Sequence, residues 1–163
     1  MKSFTKYEIK SLLIIFLILF GLVALNMSAS LRKGRDATRK NDLSAMQKAI
    51  DTFYQKYREF PKSTQDGKII GCFNEEPIID KNTGLVLNAV SCEWGMSTFE
   101  NIKTMTRDPS YKKGLSYLYI SDGQKYELYV SLEGKKEPEY TVSIVAKNLQ
   151  CGTKVCNYGR WSN

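Results

Sequence analysis

Between Lys10 and Arg32 the chain runs for 21 residues, Ser11 to Leu31, without a charge. As an α-helix that stretch is about 32 Å long, enough to cross a hydrocarbon core of about 30 Å. Its dense apolar part, Leu12 to Leu25, is shorter, and Ser28-Ala29-Ser30 offers small residues where a secretory signal could be cut. The helical pattern, however, does not stop there. Leu43, Met46, Ile50, Phe53 and Tyr57 recur at spacings of 3, 4, 3 and 4, one apolar stripe along a helix. Lys40, Asp42, Gln47, Lys48, Asp51 and Lys56 fall between them as the solvated side. No proline precedes Pro61, and the isolated Gly21 and Gly34 weaken a helix without ending it. The spacing therefore predicts one helix from about Thr5 to Glu59, apolar all round in its first half and amphipathic in its second. Such a helix is too long to pack inside a domain of this size. Its first half must be buried in lipid or among copies of itself.

The chain has 163 residues, one domain's worth, and no histidine. The missing imidazole excludes Ser-His-Asp and Cys-His catalysis and most zinc sites, and no nucleophile motif or metal-ligand cluster suggests an enzyme. The formal charge of +7 is unevenly spread: residues 1–60 hold 11 Lys and Arg against 5 Asp and Glu, and residues 61–163 hold 13 against 12. A nearly neutral second part argues against a nucleic-acid footprint. The cluster Arg32, Lys33, Arg35, Arg39 and Lys40 is expected to meet anionic headgroups beside the membrane segment. Counting those cations alone would place that side in the cytoplasm. The four cysteines, Cys72, Cys92, Cys151 and Cys156, all lie beyond the anchor and argue for export. Four thiols allow three pairings; the sequential one, Cys72–Cys92 and Cys151–Cys156, closes the shortest loops and is the expectation.

Pro61 ends the helical pattern. Residues 62–110 read as a long irregular connection with turns at Asp66-Gly67, Asn82-Thr83-Gly84 and Trp94-Gly95, and strands around 68–73 and 84–89. Leu115–Ser121 and Lys125–Leu132 alternate on either side of Asp122-Gly123, a hairpin signal, and Tyr140–Lys147 reads as a third strand. A face drawn from Leu118, Ile120, Leu128, Val130, Val142 and Ile144 is expected to pack on the helical stripe. Tyr117, Tyr119, Tyr126 and Tyr129 invite a ligand reading, but strand propensity and packing account for them. The expected fold class is α+β, with one long helix on a small antiparallel sheet of about three to four strands. Glu133, Glu137 and Glu139 are the carboxylates available to a calcium ion; their spacing matches no calcium loop, and a charged turn explains them. No other cofactor is expected.

Glu8 sits two residues before the uncharged run, where a carboxylate is costly unless paired. Its helical neighbours, three or four residues away, are Phe4, Thr5, Ser11 and Leu12, and none is a cation. Ser3-Phe4-Thr5-Lys6-Tyr7-Glu8 followed by an apolar run resembles the class III signal of type IV pilins and type II secretion pseudopilins. The resemblance implies that a prepilin peptidase cuts between Ser3 and Phe4 and that Phe4 is then N-methylated. It also implies that Glu8, fifth in the mature chain, pairs with the amine of Phe4 on a neighbouring subunit. Three departures are plain: Ser3 stands where that family has glycine, Lys6 and Lys10 bring charge where it is apolar, and the apolar run begins later. Residues 35–61 are similar to the helix end of such proteins, and Asp108-Pro109, Asp122-Gly123, Tyr126 and Leu132-Glu133 resemble their heads more loosely. The implied organisation is a leader at 1–3, a membrane and filament-core half at 4–31, an amphipathic half at 32–60 and a head at 61–163. The implied partners are copies of itself, the peptidase, the assembly machinery and membrane lipid. The head would lie outside the cytoplasm, and then in a periplasmic or extracellular filament. The alternatives are a minor pilin for DNA uptake and a signal-anchored protein that never polymerises.

Overall fold

A computed structural model describes residues 5–135 and 138–162, apart from the side chains of Ala24 and Leu25. The molecule is α+β: helix α1 (Lys6–Tyr57) is unbroken over 52 residues, about 78 Å at the rise of an α-helix. Neither Gly21 nor Gly34 interrupts it, and nothing approaches the position of a side chain at either. It ends earlier than Pro61 alone would require. Arg58 turns left-handed (φ 60°), and its N–H donates to the Tyr54 carbonyl at 2.8 Å.

Leu43, Met46, Ile50, Phe53 and Tyr57, the stripe given by the 3-4 spacing, are all buried. They pack on a sheet whose central strand is β5 (Tyr126–Val130), between β4 (Leu118–Ser121) and β8 (Tyr158–Trp161), all antiparallel. A second small sheet holds β1 (Lys62–Ser63), β2 (Ile69–Cys72) and β3 (Val90–Ser91); a two-strand ribbon holds β6 (Gln150–Cys151) and β7 (Lys154–Val155). The segment 84–89 contributes only an isolated bridge, Ile79 to Val86, and the strand there is β3 instead.

Two expectations are corrected. First, residues 142–146 form a short helix, α2 (Val142–Ala146), rather than a third strand. Both edges of β5 are already occupied, by β4 and β8, so the segment cannot pair with the central strand despite its β-branched residues. The chain reaches the sheet 16 residues later, at β8, where Gly159 opposes Tyr129. A Cβ at Gly159 would lie 2.5 Å from the Tyr129 ring, so only glycine lets β8 cross there.

Second, the face of β4 is inverted. Residues 122–125 make a four-residue connection, which pairs even-numbered with odd-numbered positions: Leu118 with Tyr129, Tyr119 with Leu128. Tyr117 and Tyr119 therefore join Tyr126, Leu128 and Val130 against the helix. Leu118 turns away with Tyr129, Ile120 is exposed, and Val142 and Ile144 lie off the helix-facing surface.

The four tyrosines are buried, as the packing reading had it. Each hydroxyl on the helix side finds an acceptor on α1 or just after it: Tyr117 donates to Asp42, Tyr126 to Asp51 Oδ1 at 3.2 Å, and Tyr119 to the Pro61 carbonyl at 2.6 Å. Buried Tyr needs such partners, and here they also fix the helix on the sheet.

Candidate functional site

The bare half of α1 is the most unusual surface of the molecule. Thirteen large apolar side chains from Leu12 to Leu31 are 54–67% exposed, all around the helix. A contiguous apolar surface of that extent is far beyond what soluble monomers carry and marks a membrane or protein interface. The described helix is long and apolar enough to cross a membrane.

At its start lies a correction to the reading of Glu8. Thr5 is the N-cap, and Thr5 and Glu8 form a capping box. The Glu8 carboxylate accepts from the Thr5 N–H at 2.7 Å and from its hydroxyl at 2.9 Å, and the Glu8 N–H donates back to the hydroxyl at 3.4 Å. Glu8 is thus satisfied on its own chain by donors that are not cations, and both contacts fall on Oε2. The motif Thr-x-x-Glu that makes this box is visible in the sequence. Ser3 and Phe4, the proposed cleavage and methylation positions, lie outside the described residues.

At the other end of the bare half, where the head begins, a buried ion cluster joins helix to head. Arg39 is fully buried, and its fork holds Asp108: Nε donates to Oδ2 at 2.8 Å and Nη2 to Oδ1 at 2.9 Å. Nη2 also reaches the Ser110 hydroxyl at 3.1 Å. Nη1 donates to Asp36 Oδ1 at 2.8 Å and to Glu133 Oε1 at 3.0 Å. Arg35 grips Glu133 with two bonds of 2.7 Å. Asp36 in turn accepts the backbone N–H of Glu133 and of Gly134, both at 2.9 Å. Lys40 pairs with Glu139 at 2.7 Å. Three segments far apart in sequence therefore meet at one turn of the helix. Asp36 and Arg39 continue the buried stripe upward, at spacings of 4 and 3 from Leu43, so the stripe becomes ionic where the head ends.

Burial alone would lower the Arg39 pKa, but Asp108, Glu133 and Asp36 outweigh it and the net shift is upward, so Arg39 stays charged. Arg35 and then Arg39 hold Glu133 down to about 2, against the opposing effect of burial. A depressed carboxylate stabilises the fold fully above its unfolded value, 4.5, and loses that contribution as pH falls toward 2. The thermal midpoint of the wild type is accordingly expected to drop between pH 4.5 and 2 more steeply than that of Glu133→Gln. Parallel acid profiles for the two would remove Glu133 from the account.

These pairs revise one expectation. Arg35, Arg39 and Lys40 face carboxylates of the head and not headgroups. Glu133 and Glu139 pair with those cations, Glu137 lies outside the described residues, and no group of three or more metal-ligating side chains forms among the described residues.

The cysteines are joined as Cys72–Cys92 and Cys151–Cys156. The first fastens β2 to the end of the long connection, and the second closes the β6–β7 ribbon. Comparison with protein-family models, with characterised proteins and with solved structures returned no match to this chain.

Proposed function

We propose that the chain is a structural subunit of a type IV pilin-like filament, held in the membrane by residues 11–31 and assembled through the same half of α1. One observation carries this reading: a single unbroken helix is bare and apolar over one half and built into a folded head over the other. A head that uses only part of its helix leaves the remainder for lipid first and for neighbouring copies afterwards. Burying each bare Leu, Ile or Phe is worth about 1.5–3 kcal/mol, so exchange of lipid for like helices is close to neutral and shape decides it. The two disulfides favour a head outside the cytoplasm. Processing between Ser3 and Phe4 by a prepilin peptidase belongs to the same proposal, as does methylation of Phe4. Mass spectrometry of the mature N-terminus tests both: an intact Met1 overturns them.

The capping box gives footing to a rival, a single-pass anchored protein that never polymerises, since Glu8 already has partners. It also sharpens the test of register. Glutamine serves as well as glutamate in a capping box, so Glu8→Gln keeps the helix start and removes only the charge. The filament reading expects Glu8→Gln to insert normally and to lower filament yield by about tenfold or more, the effect of ~1.4 kcal/mol per subunit contact. Wild-type filament yield from Glu8→Gln, counted by electron microscopy of sheared material, would sink the role of that charge. No filaments from the wild type would favour the anchored protein. A DNA-uptake role gains nothing, because three cations of the basic cluster are engaged by carboxylates of the head.

A further inference from the structure

Four of the head's exposed aliphatic side chains, Ile78, Ile79, Leu85 and Leu87, sit on one hairpin and are 38–64% exposed. The hairpin is held by its own backbone: the Leu87 N–H donates to the Ile78 carbonyl and the Asp80 N–H to the Leu85 carbonyl, both at 2.9 Å. Asn88 closes its base, accepting the Ile78 N–H at 2.8 Å and donating to the Glu76 carbonyl at 2.9 Å. Val86 turns in beside Phe53, Tyr57 and Phe60, which roots the hairpin at the end of α1 far from the membrane segment. A formed hairpin that keeps its aliphatic side chains in water marks an interface. From Glu75 to Asn88 it carries three carboxylates against one lysine. Glu75 and Glu76 are exposed and form no ion pair among the described residues.

The opposite end of the head carries the complement. Ser110, which Arg39 holds, leads directly into a single 3-10 turn, Tyr111–Lys113. Lys112 and Lys113 are exposed and form no ion pair among the described residues. Arg107 lies over the Tyr111 ring at 3.9 Å and packs against Gly95, whose neighbour Met96 is exposed. Asp108, the one carboxylate between Lys103 and Lys113, is taken by Arg39. The level of Arg39 lies about 21–27 Å along the axis from that of Phe53 and Tyr57. The acidic and basic patches therefore cannot meet within one copy, but they suit each other between copies arranged head to tail.

We propose that the hairpin of one copy docks on the Arg107–Lys113 face of the next copy outward, pairing Glu75 and Glu76 with Lys112 and Lys113. The occupant is a second copy of this chain because the two patches are complementary in charge and lie at opposite ends of the same head. A contact of that kind does not close on itself and repeats along an open helical assembly. Four aliphatic side chains are few against the roughly 20–30 residues a side of a stable interface. The contact forms where bundled helices already hold the heads together at high effective concentration. This inference rests on the filament reading above and names the contact between its heads.

The test uses the full chain assembled into filaments from a mixture of unlabelled and isotope-labelled subunits. Carbodiimide joins carboxylates to amines already in contact. It is expected to link Glu75 or Glu76 to Lys112 or Lys113, with unlabelled–labelled pairs seen by mass spectrometry of the digest. Lys112→Glu/Lys113→Glu and Glu75→Lys/Glu76→Lys should each lower filament yield about tenfold, or ~1.4 kcal/mol per contact. The four changes together should return the yield to within about threefold of the wild type, because they restore opposite charges across the contact. The cross-link needs no variant, so it decides the matter even if a reversal fails to fold. Losses that the combined variant does not recover overturn the pairing. Wild-type yield from Glu75→Lys/Glu76→Lys overturns the second copy as occupant and leaves the hairpin to a partner of another kind. A wild type that forms no filaments refutes the filament reading and this inference with it. Filaments that form without the cross-link between copies refute this inference alone.

Discussion

Arg39→Ala is expected to lower the stability of the head by about 3–5 kcal/mol, the usual cost of removing one partner from a buried ionic cluster. For a domain whose total stability is about 5–15 kcal/mol, that is enough to leave much of it unfolded at growth temperature. The reason lies in what remains behind. Asp108 is 1% exposed and would keep only the Ser110 N–H as a donor. Asp36 would keep the two N–H groups of Glu133 and Gly134, and Arg35 would still hold Glu133. The uncompensated charge is therefore Asp108. Arg39→Lys should fall between, since an ammonium cannot bind both oxygens of Asp108 and still reach Asp36 in the geometry of the fork. Arg39→Ala combined with Asp108→Asn should recover part of the loss. Chemical unfolding followed on the head's tyrosine and tryptophan signals measures all of these. A loss below about 1 kcal/mol for Arg39→Ala would mean that the buried charges find other partners.

Phe53→Ala is expected to cost a similar amount, about 3–5 kcal/mol, for a different reason. Its ring lies 4.5 Å from that of Tyr57, 6.0 Å from Phe99 and 6.5 Å from Phe73, so one helical residue holds rings of the long connection. β2 comes close because Gly71 has no side chain; a Cβ there would sit 2.8 Å from the Phe99 ring and 3.3 Å from Phe53. The cavity left by alanine would open at the end of α1 far from the membrane segment. Hydrogen exchange should then rise in residues 61–105 before it rises in β5. Uniform loss of protection across the head would show that the two ends of the helix unfold as one unit.

Local patterns in the sequence carried the long helix, its buried stripe and the hairpin. A period of 3.6 residues needs no partner to be visible. The Thr5-x-x-Glu8 cap is equally local and was readable. What stayed hidden depends on segments distant in the chain. Alternation and aliphatic character alone put Leu118 and Ile120 on the inward face of β4. Tyr117 and Tyr119 win because Asp42 and the Pro61 carbonyl accept their hydroxyls, and neither acceptor can be foreseen from the strand. Residues 142–146 look like a strand by composition, but the place beside β5 is taken by β8, from later in the chain. Extending the apolar stripe by four and three residues from Leu43 would have reached Arg39 and Asp36. The distant carboxylates that Arg39 binds come from 69 and 94 residues further on, which no spacing rule anticipates.

Because α1 has no break and the head is clamped to it at Arg35, Asp36 and Arg39, the compass bearing of the head around the axis is a matter of counting residues. Each residue added to an α-helix turns everything beyond it by about 100°. Whatever neighbours the bare half chooses, the direction in which the head points outward is already written into the number of residues between the two. One residue inserted or deleted between Leu31 and Gly34 would leave lipid segment and head each intact and swing the head about a quarter-turn, facing a different neighbour. The unbroken helix thus acts as a protractor as much as an anchor.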